Sequence, residues 1–76
     1  MTASDHDLDL SGLLCPLPVL KAGKALRAMA PGQILCVTAT DPMAAIDMPH
    51  FCSEQGHRFL SQDEKGGVFI FRIQRK

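Results

Sequence analysis

The chain has no tryptophan and no tyrosine, and its eight lysines and arginines are matched by eight aspartates and glutamates. Proteins that hold single strands of nucleic acid offer stacking rings along a basic groove, and binding by phosphate neutralisation needs a basic excess. Strong direct binding of nucleic acid is therefore not expected. Long apolar runs are missing as well, the uncharged stretches being far shorter than a membrane-spanning helix, so no membrane span is expected. Met1 to Asp7 is polar and acidic, without the basic start and apolar stretch of a secretory signal. Cysteine is scarce and odd in number, three residues, which excludes complete internal pairing. Free thiols in a reducing compartment, the cytoplasm, are the expectation.

What is present suits one small domain. The chain is 76 residues long with 46% hydrophobic residues, too apolar for a disordered chain. A domain of this size buries only about 60% of the surface its unfolded chain exposes. Residues 1–76 read as a single unit, with residues 1–6 expected to be flexible and a monomer expected. Charge is uneven along it: Asp5, Asp7 and Asp9 gather early, Lys21, Lys24 and Arg27 lie together, and Arg72, Arg75 and Lys76 close the chain.

Leu8 and Leu10 alternate with Asp7 and Asp9 until Ser11-Gly12 breaks the run, a short first strand ending in a turn. From Pro16 to about Met29 the period becomes helical, with Val19, Ala22, Leu26 and Met29 on one face, and Pro31-Gly32 stops it. Gln33 to Thr40 is a second strand, Leu35, Val37 and Ala39 sharing one side. Asp41-Pro42 opens a second helical segment. Pro49 removes a donor from it, so a break near Met48 is predicted, with Asp47 capping a fresh start. Ala44, Met48, Phe51, Cys52 and Gln55 share a face, and Gly56 suits the left-handed residue after the helix. Arg58–Asp63 and Val68–Gln74 flank Lys65-Gly66-Gly67 as a closing hairpin, with Phe69, Phe71 and Ile73 inward. The order βαβαββ with right-handed crossovers gives an α/β (α+β) two-layer sandwich, a four-stranded mixed sheet carrying two helices on one face.

Cys15 falls where the first strand hands over to the first helix, so orphan amides and the positive helix end are expected to face its sulfur. A free cysteine has a pKa of about 8.5, and helix N-termini lower it to roughly 3.5–7.5; a thiolate or persulfide anion is the expectation. Pro16 at the first helical position and Pro18 stiffen the turn that presents the thiol. Position 18 is proline, so the resolving cysteine of a thioredoxin-type site is missing. An isolated cysteine is more commonly a small packed residue, but between a strand ended by Gly12 and a helix opened by proline the functional reading of Cys15 is favoured. Cys36 in a strand and Cys52 on the apolar stripe read as packed residues. His50, Cys52 and His57 lack paired ligand spacing, so no metal and no cofactor is expected.

Leu10-Ser11-Gly12-Leu13-Leu14-Cys15-Pro16-Leu17-Pro18, Pro31-Gly32-Gln33, Thr40-Asp41-Pro42, Asp47-Met48-Pro49-His50-Phe51-Cys52 and Gly56-His57, in that order, resemble the TusA family of sulfur carriers, also called SirA-like. The match spans nearly the whole chain. The resemblance implies that Cys15 accepts sulfur as a persulfide from a donor, a cysteine desulfurase or a rhodanese-like protein, and passes it to an acceptor protein as a relay rather than as an independent turnover enzyme. Members serving tRNA thiolation carry a motif that looks like Arg-Cys-Pro-Glu-Pro, where this chain has Leu14 and Leu17. Other branches look as if they serve sulfur oxidation, molybdenum-cofactor enzymes or selenium metabolism. An apolar rim of Leu14 and Leu17 suits docking on an apolar partner groove, with Lys21, Lys24 and Arg27 guiding acidic partners. Two other readings stand beside the relay: a regulatory or RNA-associated binding module in which Cys15 is structural, and a redox thiol protein pairing Cys15 with Cys36 or Cys52.

Overall fold

The computed structural model describes residues 4–76. Its elements are β1 (His6–Leu10), α1 (Leu17–Ala28), β2 (Ile34–Ala39), α2 (Ala44–Gln55), β3 (Arg58–Lys65) and β4 (Val68–Gln74), the expected βαβαββ order. The sheet runs β1-β2-β4-β3. β1 lies parallel to β2, with Leu8 opposite Val37 and Leu10 opposite Ala39, while β4 is antiparallel to both β2 and β3. It is a mixed four-stranded sheet. Of the stretch expected to be flexible, His6 is already in β1 and Asp5 is tied to Ile34, accepting its amide hydrogen at 2.7 Å and donating its own to the Ile34 carbonyl at 2.8 Å; Met1–Ala3 lie outside the described residues.

Alternation decides which sheet face the helices cover. Leu35, Val37 and Ala39 on β2 and Phe69, Phe71 and Ile73 on β4 are buried together, and Leu10 joins them from β1. Their pleat neighbours Ile34, Cys36, Thr38, Ile70 and Arg72 are only half-buried on the other face. From α1, Ala22, Leu26 and Met29 enter the same core, and from α2, Ala44, Met48 and Cys52. Fully burying a side chain such as Leu, Phe or Met contributes about 1.5–3 kcal/mol, which is what holds two short helices to one sheet face. Gln55, expected on the apolar stripe of α2, is exposed, because the stripe has turned to solvent by the last helical residue.

Two boundaries differ from expectation. α1 begins at Leu17, with Pro16 as its N-cap and Pro18 in its first turn, so Pro16 is outside the helix rather than its first residue, and the Cys15–Pro16 peptide is cis. α2 runs without interruption through Pro49. The break at Met48 does not occur: the helical bonding starts upstream, with the Ala44 amide donating to the Asp41 carbonyl at 2.9 Å and the Asp47 amide to the Met43 carbonyl at 2.8 Å. Met48 and Cys52, fully buried on either side of Pro49, anchor the helix through the one donor it lacks. Gly56 ends α2 at φ +80°, as expected. β3 extends to Lys65 with an irregularity between Phe59 and Ser61, and Gly66 and Gly67, both at positive φ, supply the two left-handed residues of a tight hairpin turn.

Candidate functional site

The loop from β1 to α1 is fixed by bonds to the loop that enters α2. β1 and β2 are parallel neighbours, so their C-terminal ends emerge side by side, and the residues after Leu10 meet those after Ala39. Gly12, at φ +83°, donates its amide hydrogen to Thr40 Oγ1 at 2.8 Å. Cys15 donates its amide hydrogen to Asp41 Oδ2 at 2.7 Å. The other oxygen of Asp41 accepts from the Met43 amide at 3.1 Å. Asp41 is the buried charged residue of the core, 9% exposed, and it joins the cysteine turn to the first turn of α2. Pro18 is fully buried beneath that turn, while Cys15 and Pro16 are exposed.

The thiol of Cys15 points across to α2, where Asp47 Oδ2 accepts its hydrogen at a sulfur–oxygen distance of 3.0 Å. This bond, then desolvation, then the charges of Asp47 and Asp41, push the Cys15 thiol above its ordinary value. The thiolate expected from the helix N-terminus is therefore reversed. The reason is local: Pro16 and Pro18 have no N–H to offer, and the Leu17 amide is engaged with the Leu14 carbonyl at 2.9 Å. Two carboxylates brought by the fold act on the sulfur against a helix end left with few free donors.

Beside the sulfur lies a cleft of about 390 Å³ walled by Pro16, Val19 and Phe51, with Asp47, His50 and Glu54 along α2. His50 Nε2 stands 3.2 Å from Glu54 Oε1. Leu14, 68% exposed, and Leu17, 43% exposed, flank the thiol as large apolar side chains in solvent. Met43 and Ile46, within four residues of Asp47 in sequence, are also exposed apolar side chains; the sequence reading did not single them out, although both fall off the Ala44–Met48–Cys52 stripe. The basic trio divides. Lys21 and Lys24 line a separate groove with Leu8, Ala25 and Ala28 on the β1 side of α1, whereas Arg27 lies beside Gly23 and Phe51 on the α2 side.

Asp41 and Asp47 are the two residues that the fold brings onto Cys15 and that the sequence suggests only as helix caps. They are 26 and 32 residues from Cys15, and only the parallel pairing of β1 with β2 could have hinted at their approach. The remaining thiols are in other settings. Cys52 is buried, and burial pushes it up to about 11; Cys36 is half-buried on the open sheet face. Among the described residues the three cysteines are free and no group of three or more His, Cys, Asp and Glu side chains is placed to hold a metal ion. No helix among them is long and apolar enough to cross a membrane.

The family model for the sulfurtransferase TusA matches residues 6–75. The chain belongs to the TusA family. Among curated relatives, the sulfur carrier protein TusA of Allochromatium vinosum is 45% identical over 75 residues, covering 99% of each chain. The TusA sulfur carrier of Pseudomonas entomophila is 44% identical, covering 100% of this chain and 98% of that protein. Among solved structures, the crystal structure of the SirA-like protein from Desulfitobacterium hafniense superposes with a TM-score of 0.81 at 25% identity, covering 91% of this chain and 95% of that one. This TusA-family chain thus has the two-layer, four-stranded fold expected of it, in the same element order.

Proposed function

We propose that this protein is a sulfur carrier in which Cys15 Sγ takes a sulfur atom as a persulfide and hands it to an acceptor protein. The observation that carries the reading is an exposed thiol in a proline-built turn, beside an open cleft, in a chain nearly half identical to proteins named sulfur carriers over its whole length. Cys15 bonds to the outer sulfur of a donor's persulfide, and the donor's own S–S bond breaks with its electron pair left on the donor's inner sulfur. No oxidant or reductant is consumed. The donor fits the class of cysteine desulfurases or rhodanese-like proteins, and transfer in the reverse sense to an acceptor thiol or acceptor enzyme follows the same bond accounting. The reaction needs no cofactor or metal, and a monomer in the reducing cytoplasm is the setting that suits three free thiols.

Leu14 and Leu17 supply an apolar contact for the partner around the reacting sulfur. Lys21 and Lys24, displaced to the β1 side, act at longer range on the approach of an acidic partner, and Gly12, Pro16 and Pro18 hold the turn.

The test is an intact mass spectrum after incubation with a cysteine desulfurase and cysteine, run beside Cys15→Ser. A gain of one sulfur atom, removed by reductant and absent from a folded Cys15→Ser variant, is expected. Equal gain in the variant refutes the assignment to Cys15.

A further inference from the structure

Cys15 Sγ donates to one acceptor, the Asp47 carboxylate, at 3.0 Å. That carboxylate lines, with Cys15, the open cleft beside the sulfur, the space a partner's sulfur would enter on the carrier reading. The groups facing the thiol from each side are few. α2 presents Asp47, with His50 and Glu54 paired farther along; the loop before α2 presents Asp41, already bonded to two amides; the start of α1 contributes Pro16 and Val19, with Arg27 about two turns beyond Val19 beside Gly23. Of these, Asp47 alone touches the hydrogen of the thiol.

Resting on the sulfur-carrier reading, we propose that Asp47 is the proton acceptor for Cys15: it keeps the unloaded sulfur in its thiol form, and takes the hydrogen as Cys15 attacks a donor's persulfide. The balance is complete within the two proteins. Cys15–SH and donor R–S–SH become Cys15–S–SH and R–SH; the new S–S bond forms as the donor's breaks. The proton leaving Cys15 passes by way of Asp47 to the inner sulfur of the donor, which departs with the electron pair. Once loaded, Sγ has no hydrogen for Asp47, and the outer sulfur lies one S–S bond, about 2 Å, farther along the chain. The carboxylate that held the thiol inward then repels an ionised persulfide outward, toward the acceptor. The push up on the thiol from Asp47 and Asp41 agrees with this resting state.

The discriminating variant is Asp47→Asn, which keeps the shape and removes the charge and the proton-accepting oxygen pair. Two rates are read on the Cys15 peptide by mass mapping: alkylation by iodoacetamide across pH, and loading from a desulfurase at neutral pH. Alkylation consumes thiolate formed in open solvent, so losing the carboxylate raises its rate several-fold at neutral pH and moves its profile to lower pH. Loading occurs in a docked site with little water, so losing the acceptor slows it by on the order of 10²-fold, the low end of what a positioned acid–base group contributes. Asp47→Glu restores part of the loading, and thermal melts of both variants check the fold. Opposite movement of the two rates supports the proposal. Alkylation that does not change, or two rates that move together, overturns it. If the native protein takes up no sulfur while Asp47→Asn still alkylates faster, the carrier reading and the transfer step fall, and the restraint of the thiol by Asp47 stands.

Discussion

Asp41→Ala is the substitution that most directly tests how the cysteine turn is held. Asp41 is nearly buried, and its two oxygens accept from the Cys15 amide at 2.7 Å and the Met43 amide at 3.1 Å. The Met43 bond works like a helix cap, whose loss costs about 1 kcal/mol. A hydrogen bond to a charged acceptor contributes about 1.5–3 kcal/mol, and the low end applies to the Cys15 amide because water can reach the exposed turn. Together the loss is about 2–3 kcal/mol against a total of roughly 5–15 kcal/mol for a small domain, so the variant folds but is weakened. At about 4–8 °C per kcal/mol for this chain length, the melting temperature falls by roughly 10–20 °C. Thermal unfolding followed by circular dichroism measures it. Asp41→Asn, which retains one acceptor oxygen, loses less, and sulfur loading of Asp41→Ala drops even well below its melting temperature, because Cys15 no longer has a fixed place beside Asp47. A melting temperature within about 3 °C of the parent, below the shift expected from a single lost cap, refutes the reasoning.

Two further outcomes follow from other parts of the molecule. Leu14→Glu, at an apolar side chain 68% exposed, leaves the melting temperature unchanged within error and weakens sulfur transfer from the donor, read as a raised apparent KM; an unchanged KM removes Leu14 from the docking rim. Burial first, and then the charges of Lys76 and Arg75, hold the His57 imidazole below its ordinary 6.5 in the folded chain. The unfolded chain therefore binds the proton first, and the contribution of His57 is full above pH 6.5 and declines as pH falls below it. Urea midpoints at pH 7.5 and 5.5 show this decline, and His57→Gln flattens it; an identical decline in the variant assigns the effect elsewhere.

The alternation of Leu35, Val37 and Ala39 against Ile34, Cys36 and Thr38, and of Phe69, Phe71 and Ile73 on the last strand, is a local pattern that only one sheet face can satisfy, and the layers follow from it. Gly56 and the Gly66-Gly67 pair were equally legible, since a left-handed backbone at a helix end or a two-residue hairpin turn selects glycine through its own φ alone. Pro49 was misread because a missing donor is a local cost, whereas Met48 and Cys52 on either side are held by burial that only the assembled core supplies. The exposed place of Cys15 in a proline-built turn was legible from its neighbours Gly12, Pro16 and Pro18. Its bonds to Asp41 and Asp47 were not, because those residues come from 26 and 32 positions away.

The contest at Cys15 is between a helix end and two acidic side chains, and magnitudes decide it. A helix N-terminus amounts to roughly half an elementary charge, expressed through its unpaired amides. In α1 the prolines at 16 and 18 remove two of those amides, and the Leu14 carbonyl takes the Leu17 hydrogen. What remains is a weakened dipole set against a full carboxylate charge in direct contact with the sulfur and a second bonded to the Cys15 backbone. The prolines that give the turn its shape thus also leave the sulfur dependent on α2 for its electrostatics. On the proposal above, a carrier built this way is quiet when empty, since the thiol is the poorer nucleophile, and it becomes reactive in the docked site as Asp47 takes its hydrogen. On that proposal Asp47, carried by α2, belongs to the working site together with the Cys15-Pro16-Leu17-Pro18 turn.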